Sequence, residues 1–177
     1  MSGGAEVNSQ GDVSHRLRRD IAAGEYHLGD VCSGLHTVEE IRKLLDERGL
    51  GSDFVTRMKV FVDGSRDFYM YVDDKEKRLV ACLGHIRESE PKTVYLDFLH
   101  ELVHMFQLHD GRNLYDRRFK YVRRATEIEA YMVAVNEGRR LGMGEKELLD
   151  YLSVDWISEQ DHRELARSVG IDPEAIS

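Results

Sequence analysis

The sequence predicts an α+β fold, in which a small antiparallel β-sheet precedes a series of helices. Three runs rich in β-branched and aromatic residues lie in the first half of the chain, at residues 54–62, 68–72 and 79–83. After Pro91 the apolar residues instead recur at the three- and four-residue spacing of amphipathic helices. Strands that are segregated from helices along the chain are typical of α+β proteins.

The size and composition of the chain are those of one globular domain. Its 177 residues are 41% hydrophobic and 33% charged, which is sufficient for a sizeable core. We expect a disordered tail at residues 1–12, which are rich in Gly, Ser and Asn, and a single folded domain at residues 13–177. The net charge of −8 argues against nucleic acid as a partner, because a phosphate backbone attracts positively charged surfaces.

The N-terminus has neither the basic region nor the apolar region of a secretory signal. No apolar run approaches the roughly 20 residues of a membrane-spanning helix. We therefore expect a cytoplasmic protein without a membrane partner. Cys32 and Cys82 are far apart and form no C-x-x-C pair, which favours two free thiols.

Local signals predict the elements of the first half. A helix is expected between Thr37 and Gly49, because Thr37-Val-Glu-Glu40 has the spacing of a capping box and Gly49 suits the position after a last turn. Asp63-Gly64 and the charged segment 73–78 separate the three β-rich runs, which indicates an antiparallel meander. Residues 93–96 either add a short fourth strand or lead into the next helix.

The second half is predicted to be helical, with helices at residues 96–108, 125–141, 145–152 and 158–169. The first of these contains an H-E-x-x-H motif, His100-Glu-Leu-Val-His104. Two histidines four residues apart lie on one face of a helix, so both imidazoles can reach one Zn²⁺ at about 2.0–2.1 Å. Glu101, beside the first histidine, is then placed to hold a metal-activated water.

A catalytic zinc ion takes three protein ligands, and the two nearest candidates for the third are disfavoured. Asp110 follows His100 by ten residues, as in extended zincin motifs that need a glycine three residues after the second histidine. That position is Gln107, so the turn that a glycine allows is not expected. His109 would point about 140° away from His104 on a continuous helix.

The next predicted helix offers Glu127 and Glu129, which are about 200° apart around a helix, so only one can face the metal. The H-E-L-V-H motif, followed about two dozen residues later by Glu129-Ala130, resembles the gluzincin metallopeptidases. Thermolysin-like, ImmA/IrrE-like and small single-domain minigluzincin proteins share this pattern, and the resemblance covers about residues 57–141. Glu129 is therefore the preferred third ligand, with Glu127 and Asp110 as alternatives.

The resemblance implies a zincin-type fold, in which the sheet packs on the motif helix and on a second ligand-bearing helix, with further helices C-terminal to them. It implies one Zn²⁺ per chain, bound by His100, His104 and Glu129. It also implies hydrolysis of a peptide or protein substrate, with Glu101 as the general base that moves a proton from water to the leaving amine. Tyr131 is the candidate donor to the oxyanion, and the alternatives are Tyr121, Tyr115 and His109.

The chain departs from the thermolysin-like pattern at one supporting position. Those proteins have an aspartate four residues after the glutamate ligand, where it orients a zinc histidine. This chain has Val133 there. We expect Asp97, Asn136 or a backbone carbonyl to take over that role.

Two segments have more than one interpretation. The basic run 117–124 could attract an acidic substrate or nucleic acid, but a solvated face neutralised by the chain's carboxylates is favoured. The C-terminal segment 151–177, with Trp156, packs on the core or else acts as a regulatory segment that docks in the cleft, as terminal segments do in minigluzincin-like proteins. Two other functions remain open: a non-catalytic zinc-binding regulatory module, and a zinc hydrolase of non-peptide amides.

Overall fold

The computed structural model describes residues 11–176, so residues 1–10 of the predicted tail lie outside the described residues. Within them four strands form one sheet: β1 (Gly24–His27), β2 (Lys59–Asp63), β3 (Met70–Asp73) and β4 (Arg78–Cys82). The α-helices in this range are α1 (Leu28–Val31), α2 (Glu39–Glu47), α3 (Asp53–Thr56), α4 (Leu83–Glu88), α5 (Pro91–His109), α6 (Ala125–Arg140), α7 (Glu145–Tyr151) and α8 (Glu159–Ser168). The predicted α+β class is confirmed.

The sheet is mixed, so the predicted antiparallel meander is wrong. Its strand order is β1-β2-β4-β3, with β2 and β4 parallel and the outer strands antiparallel to their neighbours. The connection from β2 to β3, residues 64–69, leaves a space between these two strands, and β4 fills that space. Residues 79–82 of β4 are all buried, as expected of a central strand with both faces covered.

Two other differences concern segments with weak or ambiguous patterns. Strand β1, which the sequence did not predict, has the polar sequence Gly-Glu-Tyr-His and alternates between partly buried and exposed residues. Residues 93–96 belong to α5, which starts at Pro91. The Glu90 side chain accepts a hydrogen bond from the Thr93 backbone N–H at 3.1 Å, and proline suits a first helical position because it needs no N–H partner there.

Helix α5 lies in the interior of the protein. Between residues 94 and 107 its side chains are buried, apart from Asp97 and Glu101, which are partly exposed. The helix packs against β3 and β4 on one side and against α6 on another. The hydrophobic core around it extends along the chain from Val13 to Ile171. None of the described helices is both long enough and apolar enough to cross a membrane.

A buried carboxylate links α5 to α6. Glu137 of α6 is 1% exposed and accepts hydrogen bonds from Arg140 at 2.6 Å and from the Tyr95 hydroxyl of α5 at 3.3 Å. The Tyr95 hydroxyl in turn accepts a hydrogen bond from Arg16 at 2.8 Å. A carboxylate removed from water needs such partners, so this network helps to hold the two helices in one alignment.

We predict that Arg140→Gln lowers the free energy of unfolding by about 1–3 kcal/mol, because it leaves the buried Glu137 without its counter-charge. Arg163→Gln is the matched control, since its partner Glu159 is exposed. The control is expected to cost less than about 1 kcal/mol. Urea denaturation of both variants measures the difference, and equal losses would show that the Glu137 network does not stabilise the helix pair.

Candidate metal centre

His100, His104 and Glu127 form a buried cluster that could hold a metal ion. The two Nε2 atoms are 3.0 Å apart, and the Glu127 Oε2 atom lies 3.3 Å from that of His100 and 3.2 Å from that of His104. Both histidines come from α5 and the glutamate from the first turn of α6. An anionic side chain is favoured at a helix N-terminus, where the backbone N–H groups point outwards.

The separations within the cluster fit one tetrahedral ion. Bonds of about 2.0–2.1 Å to a tetrahedral zinc place the ligand atoms roughly 3.3 Å from one another, close to the three distances in this cluster. Two imidazole nitrogens and one carboxylate oxygen are also donor types that zinc accepts, and three protein ligands leave a fourth position open. The residues present therefore fit a metal ion, although their chemistry does not identify which one.

Gln107 orients His104. Its Nε2 donates to the backbone carbonyl of Thr126 at 3.0 Å and to the Glu129 carboxylate at 3.1 Å, both of which can only accept. Its Oε1 therefore faces the Nδ1 of His104, at 2.7 Å, and that nitrogen must donate. The proton on Nδ1 leaves the Nε2 lone pair of a neutral His104 directed at the cluster, as a metal ligand requires.

The charges of the cluster are strongly coupled. Burial by itself lowers the pKa of His104, but the hydrogen bond to Glu127 and the charges of Glu101 and Glu127 outweigh it and raise the pKa to about 9. Burial by itself raises the pKa of Glu127, yet hydrogen bonds and charges from both histidines bring it well below its usual value. Without a metal, the cluster therefore retains a proton at neutral pH.

Glu129, the preferred ligand in the sequence prediction, does not join the histidines. It forms an ion pair with Arg112 on the surface and accepts the hydrogen bond from Gln107. The expectation that Glu129 rather than Glu127 faces the histidines is wrong. The cause is the rotation of α6 about its axis: Glu127 is in phase with the buried residues Ala130 and Tyr131, whereas Glu129 is on the other side.

The remaining ligand candidates also lie elsewhere. Asp110 pairs with Arg48 at 2.6 Å, and His109 packs edge-to-face against Phe54 with ring centroids 5.2 Å apart. Both positions are outside the cluster, because α5 continues to His109 instead of folding back.

Asp97 and Asn136 are the residues expected from the sequence to orient a histidine of the cluster, and the structure places neither of them in that role. The Asp97 carboxylate faces the Nε2 of His85 at 2.7 Å, and Asn136 is exposed on α6. His104 is oriented by Gln107 instead, and the buried Nδ1 of His100 has no hydrogen-bond partner among residues 11–176.

The cluster opens into a cleft of about 690 Å³. Glu101 lines this cleft next to His100, and burial raises the pKa of its carboxyl group. Tyr131 also lines it, with its ring 4.2 Å from that of His100 and its hydroxyl 2.9 Å from the hydroxyl of Tyr121. Burial raises the pKa of both phenols, so both remain protonated and can donate hydrogen bonds.

The C-terminal segment forms part of the cleft wall. Tyr151 and the loop after α7 line it, including Trp156, which is 57% exposed. The Trp156 ring lies 5.9 Å from those of Tyr69 and Tyr121, and Asp155 accepts a hydrogen bond from the Tyr69 hydroxyl at 3.1 Å. Trp156 is thus at the rim of the cleft and not in the core, while a regulatory role of the segment stays a prediction.

No protein-family model, curated protein or solved structure matches this chain. The function therefore has to be argued from its own residues and their geometry.

Sequence reasoning missed two contributors to the site. Glu127 was weighed but not preferred, although Ala130, Ala134 and Gly138 at four-residue spacing indicate which face of α6 packs closely. Gln107 was considered solely as the residue that replaces a glycine. No local signal shows that its amide joins the two helices, since its partners Thr126 and Glu129 are 19 and 22 residues away.

We predict that Glu127→Gln removes the bound metal, whereas Glu129→Gln retains it, because only the first carboxylate lies with the histidines. Elemental analysis after dialysis against zinc should find about one zinc per chain in the parent and in Glu129→Gln, and a small fraction in Glu127→Gln and His104→Ala. Loss of zinc from Glu129→Gln and its retention by Glu127→Gln would instead support Glu129 as the third ligand, as the sequence predicted.

We also predict that zinc binding displaces a proton. The raised pKa of His104, about 9, means that this group is protonated in the metal-free protein at pH 7 and must lose its proton to bind a metal. The apparent affinity should thus rise about tenfold per pH unit below that pKa and level off above it. Titration calorimetry in two buffers of different ionisation enthalpy counts the protons released, and none at pH 7 would contradict the coupling.

Proposed function

We propose that this chain is a zinc-dependent hydrolase of peptide bonds of the gluzincin type, with His100, His104 and Glu127 as metal ligands and Glu101 as general base. The observation that carries the proposal is the convergence of three ligand atoms in a cleft that Glu101 also lines. The ligand set is the His₂Glu set that the family resemblance implies, with Glu127 in place of Glu129.

Zinc bound to these residues would activate a water molecule and polarise the scissile carbonyl. Glu101 accepts the proton of the attacking water and then delivers it to the leaving nitrogen. Burial raises the pKa of the Glu101 carboxyl group above its ordinary value, which makes the carboxylate a stronger base for the proton of the attacking water.

Tyr131, together with Tyr121, is the proposed donor to the developing oxyanion. The two phenols share a hydrogen bond and line the cleft beside His100. The other two candidates are less suited to the role. The Tyr115 hydroxyl is bound to the Val72 carbonyl, and His109 does not line the cleft.

A peptide substrate is supported by the position of β3. This strand is at the edge of the sheet, and residues 69–72 line the cleft. The Val72 carbonyl is already bonded to the Tyr115 hydroxyl, so an extended chain can lie beside residues 69–71. An edge strand offers backbone N–H and C=O groups that recognise another backbone irrespective of its side chains.

We predict that Glu101→Gln lowers the rate of cleavage of an unstructured protein substrate by about 10²- to 10⁴-fold while one zinc remains bound, because the change removes the base and spares the ligands. Glu88→Gln is the matched control, since Glu88 is exposed on α4 and does not line the cleft. Cleavage followed by gel electrophoresis, together with elemental analysis, gives both quantities.

Three results would count against the proposal. Undiminished cleavage by Glu101→Gln would remove this residue from its role. Zinc binding without cleavage of any peptide by the parent would favour the non-catalytic regulatory module. Hydrolysis of small amides without that of peptides would favour the non-peptide amidase.

A further inference from the structure

The basic run 117–124 contains three cations that form ion pairs, an exposed Arg117 outside the cleft, and Arg124, which lines the cleft. Three side chains of the run form ion pairs on the surface: Arg118 with Asp116 at 2.7 Å, Lys120 with Asp161 at 3.2 Å and Arg123 with Glu164 at 2.6 Å. These pairs agree with the interpretation of the run as a solvated face. Arg124 differs from them, because it is partly buried and lines the cleft.

The guanidinium group of Arg124 is held in place by groups that do not neutralise it. Its Nε donates to the backbone carbonyl of Asp116 at 3.2 Å, and its central carbon lies 5.9 Å from the ring centroid of Tyr121. No carboxylate of residues 11–176 forms an ion pair with it, although the whole chain has 33 Asp and Glu residues for 25 Lys and Arg. The two terminal nitrogens thus remain available as a planar pair of donors.

Arg124 is close to the proposed metal centre. It immediately precedes α6, three residues before Glu127, and both side chains line the same cleft. Tyr121, whose ring faces the guanidinium group, is hydrogen-bonded to Tyr131, which packs on His100. Since an extended peptide spans roughly 3.3–3.6 Å per residue, a group bound by Arg124 lies within a few residues of the bond to be cleaved.

We propose that Arg124 binds a carboxylate of the substrate and so makes the cleft selective for peptides with a negative charge near the scissile bond. This inference rests on the proposed function of the same cleft and adds its substrate class. A planar guanidinium with two free nitrogens matches a carboxylate in a bidentate arrangement.

The other charges of the cleft favour a single negative charge over a double one. Outside the ligand cluster, its lining residues include five acidic and two cationic ones: Glu90, Asp97, Glu101, Glu147 and Asp150 against Lys92 and Arg124. A phosphate group with two charges meets more repulsion there than a carboxylate does. The carboxylate can belong to the C-terminus of the peptide or to an Asp or Glu side chain.

The test is a binding measurement that does not depend on cleavage. Trp156, the single tryptophan of the chain, lines the cleft, so its fluorescence reports occupancy. Zinc-loaded Glu101→Gln protein is titrated with matched pairs of peptides, each pair differing in a single group. In one pair a free C-terminus is compared with a C-terminal amide. In the others Glu is compared with Gln at one position of an otherwise neutral sequence. We expect one carboxylate-bearing peptide to bind about 10- to 100-fold more tightly than its neutral partner.

Adding Arg124→Gln should abolish this preference, and Arg124→Lys should restore part of it. Arg117→Gln is the control: it removes an equal charge from the same run at an exposed position outside the cleft, so the preference should persist. Circular dichroism and zinc content must match the parent in every variant. The peptide pair that shows the difference identifies the C-terminus or a side chain as the source.

The result that overturns the inference is equal binding of charged and neutral peptides, absence of binding to all of them, or a preference that survives Arg124→Gln. A charge preference in the Glu101→Gln protein, combined with no cleavage of any of the peptides by the parent protein, would contradict the proposed hydrolysis and leave carboxylate recognition standing. Cleavage of peptides without any charge preference would support the proposed hydrolysis and contradict carboxylate recognition by Arg124.

Discussion

The close approach of α5 and α6 is the constraint on which both the core and the His100–His104–Glu127 cluster depend. α6 buries Ala130, Ala134 and Gly138 at four-residue spacing, and these small side chains allow two helices to pack with little between them. A Cβ atom at Gly138 would be 2.6 Å from the Leu148 side chain and 3.2 Å from that of Leu96, so α5 and α7 both use the space that glycine leaves. At this separation a carboxylate on α6 reaches the imidazoles of α5.

The same helix pair explains why the third member of the cluster comes from a distant part of the sequence. Gln107 continues α5 where a glycine could have ended it, and the helix runs on to His109. The chain then has no opportunity to fold back and bring Asp110 to the histidines. The Gln107 side chain instead joins the helices, because its amide bonds to His104 on one side and to Thr126 and Glu129 on the other.

The helices were more predictable than the sheet, for a physical reason. Apolar periodicity is a local property, and the predicted helices at residues 125–141 and 145–152 differ by one residue from the observed α6 and α7. Strand order depends on pairing between residues distant in sequence. The fully buried run Leu79–Cys82 was a sign of a central strand, yet nothing local indicated that it would separate β2 from β3.

Local sequence is sufficient to bring His100 and His104 to one face of a helix with Glu101 beside them, because a helical repeat of 3.6 residues places positions four apart side by side. Local sequence does not decide whether Glu127 or Glu129 joins the histidines. Both lie on α6, and which one meets the histidines depends on how that helix is rotated against α5. The same holds for Gln107, whose partners Thr126 and Glu129 are brought to it by the packing of α6 on α5, and for Arg124, which the fold places at the cleft.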